Sequence, residues 1–229
     1  RAGARCVAMK LLALDTSTEA CSAALAIEDQ VSERFTLGGN HSERILPMVH
    51  ELLAEAGIAL SQLDAIAFGR GPGSFTGLRI AAGVTQGLAF GANLPVVPVS
   101  SLAALAQGQD ADRVLAAFDA RMQQVYWGAY VRNAQGIVES AGTEIVTAPE
   151  AVPLPIGSGW TGAGSGWDQY AEVLSRRLKE YVTGWQKQVY PAARSVAKVG
   201  RWLLEKGEVL QPDKAIPIYI RDEVAIKAK

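Results

Sequence analysis

Apolar residues in this chain fall into short runs broken by polar punctuation, and the spacing within each run predicts an element. Residues 11–14 (Leu-Leu-Ala-Leu) stop at Asp15 and the polar turn Thr16-Ser17-Thr18-Glu19. Runs over 21–27 and 31–37 follow, separated by Glu28-Asp29-Gln30. Three such runs in succession predict an antiparallel meander of short strands. Over 43–56 the period changes: Ile45, Leu46, Val49, Leu52, Leu53 and Ala56 recur at helical spacing, with Ser42 as N-cap and Gly57 as the stop. Pro47, one turn in, predicts a kink or a later start. A buried strand over 65–68 runs into Gly69-Arg70-Gly71-Pro72-Gly73. A helix then opens at Ser74 or Thr76, continues to Phe90 and closes at Gly91. A strand over 94–99 and a helix to Ala106, capped by Ser100 or Ser101, complete the first half.

The stretch Gly108-Gln109-Asp110-Ala111-Asp112 is the predicted boundary, and beyond it the same grammar returns. An apolar run over 114–118 ends at Asp119, as the first run ends at Asp15. Alternation predicts strands over 125–131 and 137–145. Residues 157–166, rich in Gly, Ser and Thr, read as loop. Helices are predicted near 168–177 and over 193–206, the second stopped by Gly207. The reading is an α/β chain of two lobes, 9–107 and 108–229, whose last segment is free to pack back on the first.

Length and composition narrow the class. At 229 residues, 49% apolar and 20% charged, the chain can bury a sizeable core. A formal net charge of −1 argues against a generally basic nucleic-acid binder. Residues 176–229 nonetheless carry twelve Lys or Arg against six Asp or Glu. That excess reads as a solvated helical surface or as a face for a phosphate backbone. Two cysteines, Cys6 and Cys21, supply neither a disulfide framework nor metal-site spacing, which fits a reduced cytoplasmic compartment. There is no run of about 18 apolar residues and so no predicted membrane span. Residues 1–8 lack the apolar character of a signal peptide. Translation is expected to start at Met9, with the first eight residues a leader outside the fold.

Three stretches carry candidate chemistry. Asp15-Thr16-Ser17 between two strands offers a carboxylate and backbone N–H groups to a phosphate and its metal, or is simply a polar turn. Gly69-Arg70-Gly71-Pro72-Gly73 before a helix is the recipe for an anion site, but it is neither a P-loop nor a G-x-G-x-x-G. The helix beyond carries Gly77, Ala81, Ala82, Gly83, Gly87 and Ala89, residues small enough to imply close packing within the chain or against another. Asp119 and Arg121 either face Asp15 across a cleft or pair within their own turn. With His41 and His50 as the only histidines and no G-x-S-x-G elbow, neither zinc catalysis nor a serine triad has support.

In order and spacing, Leu14-Asp15-Thr16-Ser17-Thr18, His41-Ser42-Glu43-Arg44-Ile45-Leu46-Pro47, Gly71-Pro72-Gly73-Ser74-Phe75-Thr76-Gly77-Leu78-Arg79, Asp119-Ala120-Arg121 with Val125-Tyr126, and Pro217-Ile218-Tyr219-Ile220-Arg221 resemble the TsaB (YeaZ) family. The resemblance implies an actin-like ATPase (ribonuclease H-like) fold, each lobe a mixed sheet with helices. It also implies a cytoplasmic, non-catalytic subunit that binds and activates the paralogue TsaD. The reaction implied is N6-threonylcarbamoyladenosine modification of the tRNA adenosine next to the anticodon. TsaE, an ATPase, is the implied third partner, with a homodimer when alone, tRNA met only through the complex and no membrane. TsaD-type sequences carry a metal-binding His-x-x-x-His where this chain has Ser101 and Leu105, and leucine cannot ligate a metal. No cofactor of its own is expected, with ATP or ADP and Mg in the complex. The implied partner-binding set is Ile45, Leu46, Val49, Leu52, Leu53, Gly77, Ala81 and Val84. The rival is an independent ATP-binding enzyme of the actin-like superfamily, and the candidate nucleotide or anion set is Asp15, Thr16, Ser17, Arg70, Gly71, Gly73, Asp119 and Arg121.

Overall fold

The computed structural model describes residues 8–221, so the expected leader lies, except for Ala8, outside the described residues. Two sheets carry the chain. The first has the order β3-β2-β1-β4-β5, formed by β1 (Lys10–Asp15), β2 (Ala20–Ile27), β3 (Gln30–Leu37), β4 (Ala65–Gly71) and β5 (Val96–Ser100). β1 pairs antiparallel with β2 and β2 with β3, the predicted meander, while β4 and β5 run parallel to β1. The second sheet repeats the plan. β6 (Arg113–Asp119) pairs antiparallel with β7 (Val125–Arg132) and parallel with β10 (Trp160–Ala163), and β11 (Val182–Gln186) lies outside β10.

Three departures from the sequence reading have local causes. The single strand expected over 137–145 is two, β8 (Val138–Ser140) and β9 (Ile145–Thr147), each pairing with a different half of β7. β10 lies inside the stretch expected to be loop; Gly162 is required there because a Cβ would run into the Trp167 ring. Helix α1 (His41–Ala56) starts at Asn40, which takes a left-handed conformation, so Ser42 is inside the helix rather than at its cap. The helix passes through Pro47 and ends at Gly57, φ 64°.

Helices fill three layers around the sheets. α1 and α2 (Phe75–Ala92) cover one face of the first sheet, where Leu12, Leu14, Ile66 and Phe68 meet Ile45, Val49, Leu52 and Ala82. α2 is capped by the Ser74 hydroxyl, which accepts from Gly77 N–H, and stops at left-handed Asn93 rather than Gly91. α3 (Ser101–Gln107) and α5 (Ala193–Glu205) lie between the sheets. There Leu11, Ala13, Ala65 and Ala67 of one sheet share a core with Val114, Ala116 and Phe118 of the other. α4 (Ser165–Leu178) closes the far face with Trp127, Trp160 and Trp167. Burial on both faces explains why β1 and β6 read as continuous apolar runs instead of alternating. No helix among the described residues is long and apolar enough to cross a membrane.

Candidate functional site

The Asp15 turn folds onto itself. One carboxylate oxygen of Asp15 accepts from Ser17 N–H at 2.9 Å and from Ser17 Oγ at 2.8 Å; the other has no partner among the described residues. The glycine loop and the first turn of α2 then cover it. Ser74 N–H donates to Ser17 O at 2.7 Å, and Thr16 Oγ1 donates to Gly77 O at 2.7 Å. A Cβ at Gly73 would overlap Ser17 O, and one at Gly77 would overlap Thr16 O. Asp15 and Thr16 are wholly buried as a result. Burial pushes the Asp15 carboxyl up to about 6, against the opposing pull of Ser17 and His41.

This arrangement corrects part of the candidate nucleotide set. Arg70 offers its carbonyl to Ile218 N–H, and Gly71 N–H donates to Ser101 Oγ at 3.2 Å. Of the eight residues, only Ser17, Gly73, Asp119 and Arg121 border the cleft of about 680 Å³ between the lobes; Asp15, Thr16, Arg70 and Gly71 do not. Asp119 follows the turn reading, accepting from Arg121 N–H at 2.9 Å and lying 3.6 Å from its guanidinium. In the buried Asp15 turn the Ser17 N–H and hydroxyl are bonded to the turn's own carboxylate rather than turned to the cleft, and the second carboxylate oxygen is left unpartnered among the described residues. At the two positions matching the metal motif, Ser101 and Leu105 are both fully buried, and Ser101 spends its hydroxyl on the glycine loop.

His41, Tyr126, Tyr190 and Arg221 also line the cleft. They converge from four distant segments, and no local pattern could have gathered them. His41 Nε2 donates to Thr18 O at 2.8 Å, which ties the start of α1 to the Asp15 turn.

The helical layer corrects the candidate docking set as well. Ile45, Val49, Leu52, Gly77 and Ala81 are buried inside this chain, the first three against its own first sheet. An apolar stripe at helical spacing says that something covers it, and the chain's own sheet does. From that set only Leu46, 48% exposed, points outward, while Leu53 and Val84 are half-buried and pack partly against the chain's own core. The outward side of the pair is mixed, with Glu43, His50 and Glu51 of α1 and Arg79 of α2 exposed beside apolar residues. α1 adds Pro47 and Ala54, and α2 adds Ile80 and Phe90, the latter 78% exposed. Gly83, Gly87 and Gly91, one helical turn apart, are exposed, and a side chain built on any of them would meet nothing within 4 Å.

A family model described as "TsaD: tRNA N6-adenosine threonylcarbamoyltransferase" matches residues 36–225. The chain is 40% identical over 227 residues to the tRNA threonylcarbamoyladenosine biosynthesis protein TsaB of Escherichia coli K12, covering 96% of this chain and 97% of that protein. It is also 40% identical over 234 residues to the protein of the same name from Haemophilus influenzae, covering 96% of each. Among solved structures, YeaZ from Pseudomonas aeruginosa superimposes with a TM-score of 0.85 at 46% identity, across 92% of this chain and 99% of that one.

Proposed function

This chain belongs to the TsaB family and has its actin-like ATPase fold, and from that premise we propose that it is a non-catalytic subunit of N6-threonylcarbamoyladenosine biosynthesis. It docks on a TsaD-type paralogue through the outward face of α1 and α2 and thereby activates it. The observation that carries the reading is that face. Leu46 and Phe90, with the exposed edges of the half-buried Ile80 and Val84, supply area to bury, and Gly83, Gly87 and Gly91 supply a groove in which a partner helix can approach closely. Activation follows if the docked surface binds the competent state of the partner more tightly than the incompetent one. In this reading a TsaE-type ATPase joins the pair in the cytoplasm. ATP or ADP with Mg is held by the partners and tRNA is met through the complex. The same face pairs two copies of this chain when it is alone. The closed Asp15 turn and the Ser101 and Leu105 positions support a subunit without chemistry of its own.

The test separates face from core. Gly87→Arg places a bulky charge into open space on the helix, so the chain stays folded with stability at or above that of the wild type. Its affinity for the TsaD-type partner falls by about 100-fold, equivalent to about 3 kcal/mol, and reconstituted tRNA modification falls with it. Co-purification of Gly87→Arg with the partner at wild-type yield overturns the reading. Val49→Arg is no substitute: it buries an unpaired charge against the first sheet, and is expected to unfold the chain, read as loss of the cooperative thermal transition.

A further inference from the structure

The segment from Ile216 to Arg221 crosses from the docking layer to the cleft and grips both ends. At the docking end, Ile218 N–H donates to Arg70 O at 2.8 Å, at the root of the glycine loop. Tyr219 stacks 5.4 Å from Phe75 in the first turn of α2 and accepts from Arg79 Nε at 3.1 Å, while the Arg79 guanidinium covers the Phe75 ring at 3.8 Å. At the other end the Arg221 guanidinium donates to Ala120 O at 2.8 Å and Gln124 Oε1 at 2.9 Å, and lies 3.5 Å from Met122 Sδ. Those three residues belong to the β6–β7 hairpin of the second sheet.

That hairpin needs an external hold. Arg121, Met122 and Gln123 are consecutive non-glycine residues in the left-handed region, at φ 61°, 54° and 57°. Such residues persist only where their surroundings fix them. Within the hairpin the fixings are few: Arg121 N–H to Asp119 Oδ1 at 2.9 Å, and the bonds between Ala120, Gln124 and Arg121. Arg221 adds the charge-assisted contacts that close it. The hairpin stands at the cleft, with Asp119, Ala120, Arg121, Phe75 and Arg221 all on its wall.

We infer that residues 216–221 form a coupling strap: a partner docked on α2 locks the Phe75–Arg79–Tyr219 cluster, and Arg221 passes that hold to the hairpin at the cleft. The inference rests on the docking reading above and adds to it a device that reports docking on the far lobe. It requires no contact between partner and hairpin.

Amide hydrogen exchange tests it in two arms. In the isolated chain, Tyr219→Ala, which removes a side chain held by Phe75 and Arg79 of α2, is expected to speed exchange of the Ala120 and Gln124 amides by about tenfold, and Arg221→Ala by at least as much. Unchanged hairpin exchange in Tyr219→Ala overturns the strap without touching the docking reading. In the second arm the TsaD-type paralogue is added. In the wild-type chain protection is expected on α1, on α2 and in the hairpin; in Arg221→Ala it stays on the helices and is lost from the hairpin. Helix protection without hairpin protection in the wild type, or hairpin protection that survives Arg221→Ala, overturns the strap alone. Absence of protection on both helices defeats the docking reading instead, and the strap with it.

Discussion

Gly77→Ala is expected to lower the stability of the chain by about 3 kcal/mol, a fall in melting temperature of roughly 6–12 °C. The sign is opposite to the ordinary one, since alanine in place of glycine within a helix normally gains about 1 kcal/mol. Here the added methyl would overlap Thr16 O and stand 3.1 Å from Thr16 C, and both are backbone atoms that cannot rotate away. Either the first turn of α2 lifts or the Asp15 turn shifts. Both breach the bonds from Thr16 Oγ1 to Gly77 O and from Ser74 N–H to Ser17 O. Gly87→Ala provides the contrast on the same helix. Its methyl meets nothing within 4 Å, so it should stabilise the isolated chain by up to about 1 kcal/mol while weakening docking. Thermal unfolding of both variants checks the pair; a Gly77→Ala chain as stable as wild type would show that the loop and turn are not locked together.

What the sequence could and could not announce follows from the same packing. The strand ends at Asp15 and Asp119 were legible because each closes an apolar run, and the two halves carry one plan in both sheets. The stop at Gly57 was legible because its chemistry is local, and of the two openings read for the next helix, Ser74 and Thr76, the structure takes Ser74. The outward and inward faces of α1 were not. Ile45, Val49 and Leu52 are apolar at helical spacing whether they cover a sheet or a partner, and only the position of the first sheet decides. Strand β10 was hidden for a related reason: Trp160-Thr161-Gly162-Ala163 sits among glycines and serines, and becomes a strand because β6 pairs with it and the Trp167 ring needs the space at Gly162. The cleft walls from His41, Tyr126, Tyr190 and Arg221 depend on long-range assembly alone.

Asp15→Asn is expected to stabilise the chain at neutral pH and to remove a component of its pH dependence. In the folded chain the carboxyl lies near 6, above its ordinary 3.8, because burial disfavours the ionised form more than Ser17 and His41 favour it. A folded-state value above the unfolded one means that the fold binds the proton more tightly. The contribution of Asp15 is therefore least costly below about pH 4. It worsens as the pH rises from about 4 to about 6 and stays constant above, for a total of about 3 kcal/mol. Asparagine keeps an oxygen for Ser17 N–H and puts a neutral N–H₂ in place of the unpartnered oxygen, so that no charge is buried there. Other carboxylates change stability with pH in both chains, so the informative quantity is the difference between variant and wild type in urea unfolding at each pH from 4.5 to 7.5. That difference should grow in favour of asparagine up to about pH 6 and then level. A flat difference would show that Asp15 is ionised at little cost, and that the turn is open enough to solvent or to a cation to serve the phosphate-binding role its buried geometry argues against.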